Sequence, residues 1–238
     1  MTTLAWLAAV LIVAIGAAVQ GSIGFGLGVV GAPILILLEP RLVPGPILLD
    51  ALLLTLLVTV REWKHVRLAD LGWSVPGRLL GTGIAVWILR VVPAARLQLT
   101  MGLFMLSAVA MTMVGPRFRV GRRTLFGAGT LAGVMSTITS MGGPPMALLY
   151  QHEEGARLRG TLAAFFSLGV VFSIGGLRLA GRFGWTEVRL AALLLPGVLA
   201  GFALSAWTAQ RLDKRHTRLI VLVTSTLAGL LVVLNGLR

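Results

Sequence analysis

The sequence predicts an all-α integral membrane protein made of two related halves, and three observations carry that reading. First, 57% of its 238 residues are hydrophobic and 12% are charged, with a mean hydropathy of +0.93. Soluble domains run at about 45–50% apolar and about 25% charged. With half the usual charge the chain cannot cover a soluble surface of this size, so lipid must solvate much of it. Second, the apolar runs approach the roughly 20 residues that a spanning helix needs. They show no period-two alternation, which favours helices over a closed barrel. Third, the order of elements repeats at an offset of about 118 residues.

The first element, Leu4–Leu38, is an apolar stretch interrupted by Gly21-Ser22-Ile23-Gly24-Phe25-Gly26-Leu27-Gly28, with Pro33 beyond. Met1–Val19 has no preceding basic cluster and no clear small-residue cleavage site, so it reads as a first helix and not as a removable signal. Three plain spans follow, Leu42–Val60, Ser74–Val92 and Leu97–Val114. The pattern then restarts. Leu125–Tyr150 is interrupted by Ser136-Thr137-Ile138-Thr139-Ser140-Met141-Gly142-Gly143-Pro144-Pro145, and Gly160–Leu177, Leu190–Gln210 and Leu219–Leu237 are plain spans. A glycine weakens a helix by about 1 kcal/mol and a proline by about 3 kcal/mol, so clusters of them should unwind it. The expected architecture is two pseudo-symmetric repeats, residues 1–116 and 117–238, in one compact transmembrane domain. Each repeat is a Gly-broken helix, either crossing or re-entrant, plus three transmembrane helices. The hinge is Gly115–Thr124, and the short loop Pro93–Leu97 has a counterpart in Leu212–His216.

The net charge of +13, from 21 Lys+Arg against 8 Asp+Glu, sits in the short loops. There it sets orientation and meets lipid headgroups. No basic face with interleaved aromatics suggests nucleic acid. If the second broken segment turns back, the 21 basic residues divide 14 to 7 between the two faces; if it crosses, they divide 12 to 9. The stronger bias favours inverted repeats with both termini outside the cytoplasm. Cysteine is absent, which excludes thiol chemistry. His65, His152 and His216 are isolated in or beside loops, so neither a metal nor a cofactor is expected. A homodimer is compatible with the sequence, but no stretch marks a dimer face.

Duplicated halves that each carry a discontinuous helix place a substrate site at their interface. Unwound backbone and half-helix N-termini offer partial positive charge and free N–H donors to an anion. On that logic the site is lined by Gln20, Gly21, Ser22, Gly24, Phe25 and Gly26 from the first half. Ser136, Thr137, Thr139, Ser140, Gly142 and Gly143 come from the second, with Pro33, Pro144 and Pro145 shaping the breaks. For a single glycine motif, tight helix packing would be the better explanation; two motifs at matching places favour a site. Asp50 is the one acid within a plain span, so it is a candidate proton carrier for coupled transport. The alternatives are pairing with a basic residue such as Arg78, or exposure near the interface. Glu153 and Glu154 read as a solvated loop cluster beside Arg157 and Arg159. Trp63, Trp73 and Trp185 suit an interfacial aromatic belt, while Trp6, Trp87 and Trp207 are expected to pack inside.

The motif Gly21-Ser22-Ile23-Gly24-Phe25-Gly26 with Pro33, and its partner running from Gly133 to Gly142-Gly143-Pro144-Pro145, resembles the sulfite exporter TauE/SafE family of bacterial permeases. The second half departs from a Gly-x-Gly pattern, with Gly-Gly-Pro-Pro in its place. The resemblance spans the whole chain and implies a multi-pass protein of the bacterial inner membrane that moves sulfite, a sulfonate or a related sulfur or organic anion. No nucleotide-binding loop is present, so the expected activity is secondary transport, with one repeat rocking against the other. A passive anion channel is the alternative; a membrane-embedded enzyme or an assembly partner is less favoured.

Overall fold

The computed structural model describes residues 2–93, 96–114, 119–150, 153, 155–208 and 214–237. Glu154, His152, the start of the hinge and the loop at 209–213 lie outside them. Among the described residues the chain is helical and has no strand. Its helices are α1 (Thr3–Ile23), α2 (Ala32–Leu38), α3 (Gly45–Arg61), α4 (Leu68–Val91), α5 (Leu97–Val114), α6 (Arg122–Thr139), α7 (Gly143–Leu149), α8 (Gly155–Leu179), α9 (Trp185–Thr208) and α10 (Lys214–Gly236). Three of them, α1, α8 and α9, are long and apolar enough to cross a membrane. Two others fall short for separate reasons. α3 has 17 residues; α4 is long enough but carries Asp70, Arg78 and Arg90. α4 also starts earlier than the expected Ser74, which brings Asp70 into the helix.

The outer surface is what a lipid solvent requires. Leu4, Leu7, Leu11 and Ile15 on α1, Leu79, Leu80 and Ile84 on α4, and Leu193, Leu199 and Leu204 on α9 all point outward. In water such a continuous apolar surface would drive aggregation. Trp63, Trp73 and Trp185 are exposed near helix ends, as expected of a belt. Trp87 and Trp207, expected inside, are also exposed; an indole facing lipid loses nothing by being outside the bundle. Trp6 is half-buried and donates its indole N–H to the Leu193 carbonyl at 2.9 Å.

Polar and small residues supply the packing. α1 runs parallel to α9, with Gly197 against Val10, Val13 and Ala14 and Gly201 against Ala14, Ala17 and Ala18. α4 runs parallel to α6 in the same manner. Gly77 and Gly81 meet the Phe126 and Thr130 carbonyls, and Gly129 and Gly133 meet the backbone of Ser74 and Arg78. Without a side chain at these crossings the backbones touch, which is the main source of attraction between helices in lipid. α3 packs on α8 and α9, α8 also packs on α4, and α5 pairs with α10. Of the three long apolar helices, α8 is the most enclosed.

Both expected breaks are present. α1 ends at Gly24, whose φ of 93° is left-handed, and Gly26 follows at 156°. The Leu27 N–H donates to the Gln20 side-chain oxygen at 2.8 Å, and its Cα lies against Gly16. The chain has therefore doubled back along α1. It continues as a π-helical turn, Leu27–Gly31, into α2, with Pro33 at a first-turn position where a missing N–H costs little. α6 ends at Ser140, a non-glycine residue at φ 64°. Gly142 then lies beside Ser136 and the Ala132 carbonyl, so this chain doubles back too. Pro144 and Pro145 occupy the first turn of α7.

Candidate functional site

The two tips meet. Gly28 in the π-helical turn rests directly on the Ser140 carbonyl, and the Phe25 ring covers Gly143. Between them lies a cavity of about 30 Å³, enough for one or two waters. Gln20, Phe25, Gly26, Gly28 and Val29 line it from the first tip, and Ser136, Ser140, Gly142 and Gly143 from the second. Leu48, Ala51 and Thr55 of α3 and Phe166 and Val170 of α8 complete the wall. The polar surface is hydroxyl, amide and backbone; among the described residues no carboxylate lines it.

Seven of the twelve expected lining residues thus face one cavity, and five do not. Gly21 faces Ser205 on α9, and its carbonyl accepts from Arg61 Nη2 at 2.5 Å. Ser22 turns to α9 as well, 2.8 Å from Thr208 Oγ1. Gly24 abuts the Arg159 backbone and Leu162. Thr137 is 2.8 Å from Ser173 Oγ on α8. Thr139 donates back to the Met135 carbonyl at 2.7 Å and accepts from the Met141 N–H at 3.3 Å. Gly21, Ser22, Gly24 and Thr137 fix the hairpins to their neighbours, and Thr139 braces the second hairpin internally. Ser140, which does line the cavity, donates from its hydroxyl to the Pro44 carbonyl at 3.1 Å, tying the second tip to the start of α3. Ser225 Oγ donates to the Val29 carbonyl at 2.7 Å, so α10 helps hold the π-helical turn.

Asp50 is fully buried, and neither carboxylate oxygen has a hydrogen-bond partner. It is neither exposed at the interface nor paired with Arg78. It borders a second cavity of about 350 Å³ between α3 and α9, otherwise lined by Leu49, Leu52, Leu53 and Leu56 and by Val188, Ala191, Ala192 and Leu195. Among the described residues no other titratable group lines that cavity.

Sequence reasoning passed over three features. Arg78, considered only as a partner for Asp50, is fully buried at the heart of the bundle. Its signal was plain, a cation within an apolar run, and the reasoning applied to Asp50 applies equally to it. Arg61, read as a loop charge, holds the first tip: it donates to the Gly21 carbonyl and, at 2.8 Å, to Ser205 Oγ. Next to it Glu62 pairs with Arg159 at 2.8 Å. Finally, Tyr150 donates its hydroxyl to Asp70 at 2.7 Å, fastening the end of α7 to α4. Glu153 engages Arg67 at 3.1 Å and Arg157 at 3.9 Å, as a loop cluster should.

Neither the curated proteins nor the solved structures yield a match to this chain. The model of one family does match, over residues 8–232, and that span takes in both glycine-broken hairpins, both cavities and all the packing between them. That family is one of membrane transporters and not of enzymes. An all-helical, lipid-faced bundle matched over nearly its whole length in this way belongs to the sulfite exporter TauE/SafE family.

Proposed function

We propose that the chain is a secondary transporter for sulfite, a sulfonate or a related small anion, and that it holds this substrate between the two hairpin tips. One observation carries the reading: a single cavity is walled jointly by the two helix breaks. The helical run from Leu27 to Leu38 starts at that cavity, so the positive end of its backbone dipole is directed there. Ser136, whose hydroxyl oxygen accepts from Arg78, keeps its own O–H as a donor, and Gly26, Gly28, Gly142 and Gly143 let a ligand approach bare backbone. With room for only one or two waters, the cavity describes an occluded conformation, and a polyatomic anion enters when the tips part. A passive pore would need a standing passage at that level, so the small volume favours a gated carrier.

The same reading takes residues 1–116 and 117–238 as inverted repeats, each opening with a re-entrant hairpin. The packing supports this by its reciprocity: α1 lies on α9 while α6 lies on α4, and α3 on α9 mirrors α8 on α4. The face bearing Arg61, Arg159 and Arg122 then carries 13 of the 21 basic residues against 7 on the other, with Arg78 buried between them. By the positive-inside rule it faces the cytoplasm of a bacterial inner membrane. Asp50, alone in an apolar cavity, is placed to take up and release a proton and so couple flux to a gradient. Flux of a panel of sulfur oxyanions into proteoliposomes, with and without imposed proton and voltage gradients, tests the proposal. Saturable, gradient-dependent uptake of at least one anion is expected; its absence for all of them would overturn the assignment.

A further inference from the structure

Arg78 is fully buried on α4, and its guanidinium is satisfied only by neutral groups. It donates to the Ala132 carbonyl at 2.5 Å, to Ser136 Oγ at 2.8 Å and to Ser173 Oγ at 3.1 Å. Nε has no acceptor, and the Phe165 ring lies 5.8 Å away. Among the described residues no carboxylate forms an ion pair with it. A cation held in a low-dielectric bundle without a counter-ion is costly, and such intramembrane charges usually line substrate pathways. Its location gives the isolated charge a use. Ser136, which receives one of its hydrogen bonds, lines the cavity between the tips. So does Gly142, where an added Cβ would stand 3.0 Å from Arg78 Nη1. Only a hydroxyl and a side-chain-free glycine separate the guanidinium from the space where a ligand would sit.

We propose that Arg78 is the fixed positive charge that makes this site select anions, the ligand supplying the counter-charge that the protein withholds. This rests on the transport reading above and adds what that reading lacks, a formal charge behind the dipoles and hydroxyls. A unit charge so placed, in surroundings of low polarisability, acts over several ångströms with little screening. Asp50 lines the other cavity and does not quench it.

The test is equilibrium binding to purified protein, using sulfite together with methanesulfonate and its uncharged counterpart of the same shape, dimethyl sulfone. The wild type should bind both anions and prefer methanesulfonate to the sulfone at least tenfold, about 1.4 kcal/mol. Arg78→Gln, which keeps a hydrogen-bonding group without the charge, should weaken sulfite at least tenfold while its melting temperature stays near that of the wild type. Arg78→Lys should retain most of the affinity. Wild-type affinity for sulfite in Arg78→Gln would overturn the proposal and leave the transport assignment standing. If that variant does not fold, the pair of same-shaped ligands decides on the wild type alone, and equal binding of the two refutes the role of Arg78. A wild type that binds no anion overturns the transport reading, and this inference with it.

Discussion

Replacing Gly28 with alanine adds one methyl group at the point where the two hairpins touch. The new Cβ would lie 2.8 Å from the Ser140 carbonyl carbon and 3.6 Å from the Met141 nitrogen. Ordinary carbon–carbon contact falls at about 3.5–4.0 Å. The obstructing atoms are backbone on both sides, so no flexible side chain can yield and one tip must retreat. Overpacking of this kind costs about 1–3 kcal/mol. Alanine returns up to about 1 kcal/mol as a better helix former. The clash therefore wins by up to about 2 kcal/mol, which in a chain of this size lowers the melting temperature by up to about 8 °C. Flux should fall at least tenfold, because the cavity loses its joint wall. Gly83→Ala is the control: nothing stands within 4 Å of its added Cβ, so flux should hold and stability should be unchanged or slightly higher. Proteoliposome uptake and thermal unfolding of purified protein read both quantities. A Gly28→Ala protein with wild-type flux and an undiminished melting temperature would refute the direct contact between the tips.

Asp50→Asn should abolish the pH dependence of flux while preserving insertion, since both side chains fill the same space; a pH profile identical to wild type would return Asp50 to a structural role. Gly24→Leu should lower stability and flux together. Its φ of 93° penalises any side chain, and a Cβ there meets Arg159 Cα at 3.2 Å; flux lost at an unchanged melting temperature would put Gly24 in the ligand cavity instead. At the loop between α2 and α3, Arg41 hydrogen-bonds the Glu39 carboxylate and holds its pKa below the usual 4.5. A lowered folded-state value means the pair stabilises above pH 4.5 and loses that contribution as pH falls through the lowered value. Glu39→Gln should therefore unfold slightly earlier than wild type near neutral pH and match it in acid, with flux unaffected; a melting difference that grows in acid would contradict this.

Composition and glycine placement made the bundle legible, and both breaks lie where the glycine clusters put them. Helix ends were less legible. α4 extends back to Leu68 because the single glycine in Arg67–Ser74, Gly72, is not enough to end a helix, although Asp70 argued against a spanning segment. The site was legible as two segments and not as a set of side chains. Gly21, Ser22, Gly24, Thr137 and Thr139 sit on the right loops yet face away, since a tip that reverses within three residues alternates between cavity and scaffold. One sequence cannot resolve that phase. Gly28 was visible in the motif but stood two residues beyond the expected lining. Arg78 was legible as a cation within an apolar run, but its neutral partners lie on α6 and α8, 54 to 95 residues away, and spacing along one sequence does not bring them together.

The glycine seams restrict how this bundle can change shape. Each helix that ends in a hairpin packs, backbone on backbone, on a helix from the other half of the sequence: α1 on α9 and α6 on α4. If the repeats swung as two blocks, both seams would have to shear at once, stripping the contacts that hold lipid-embedded helices together. The stiff bodies are then hybrid, each uniting a hairpin from one repeat with a strut from the other. On the transport mechanism proposed above, displacing one tip would drag the far half of the chain along with it, so that the two gates would be geared to one another.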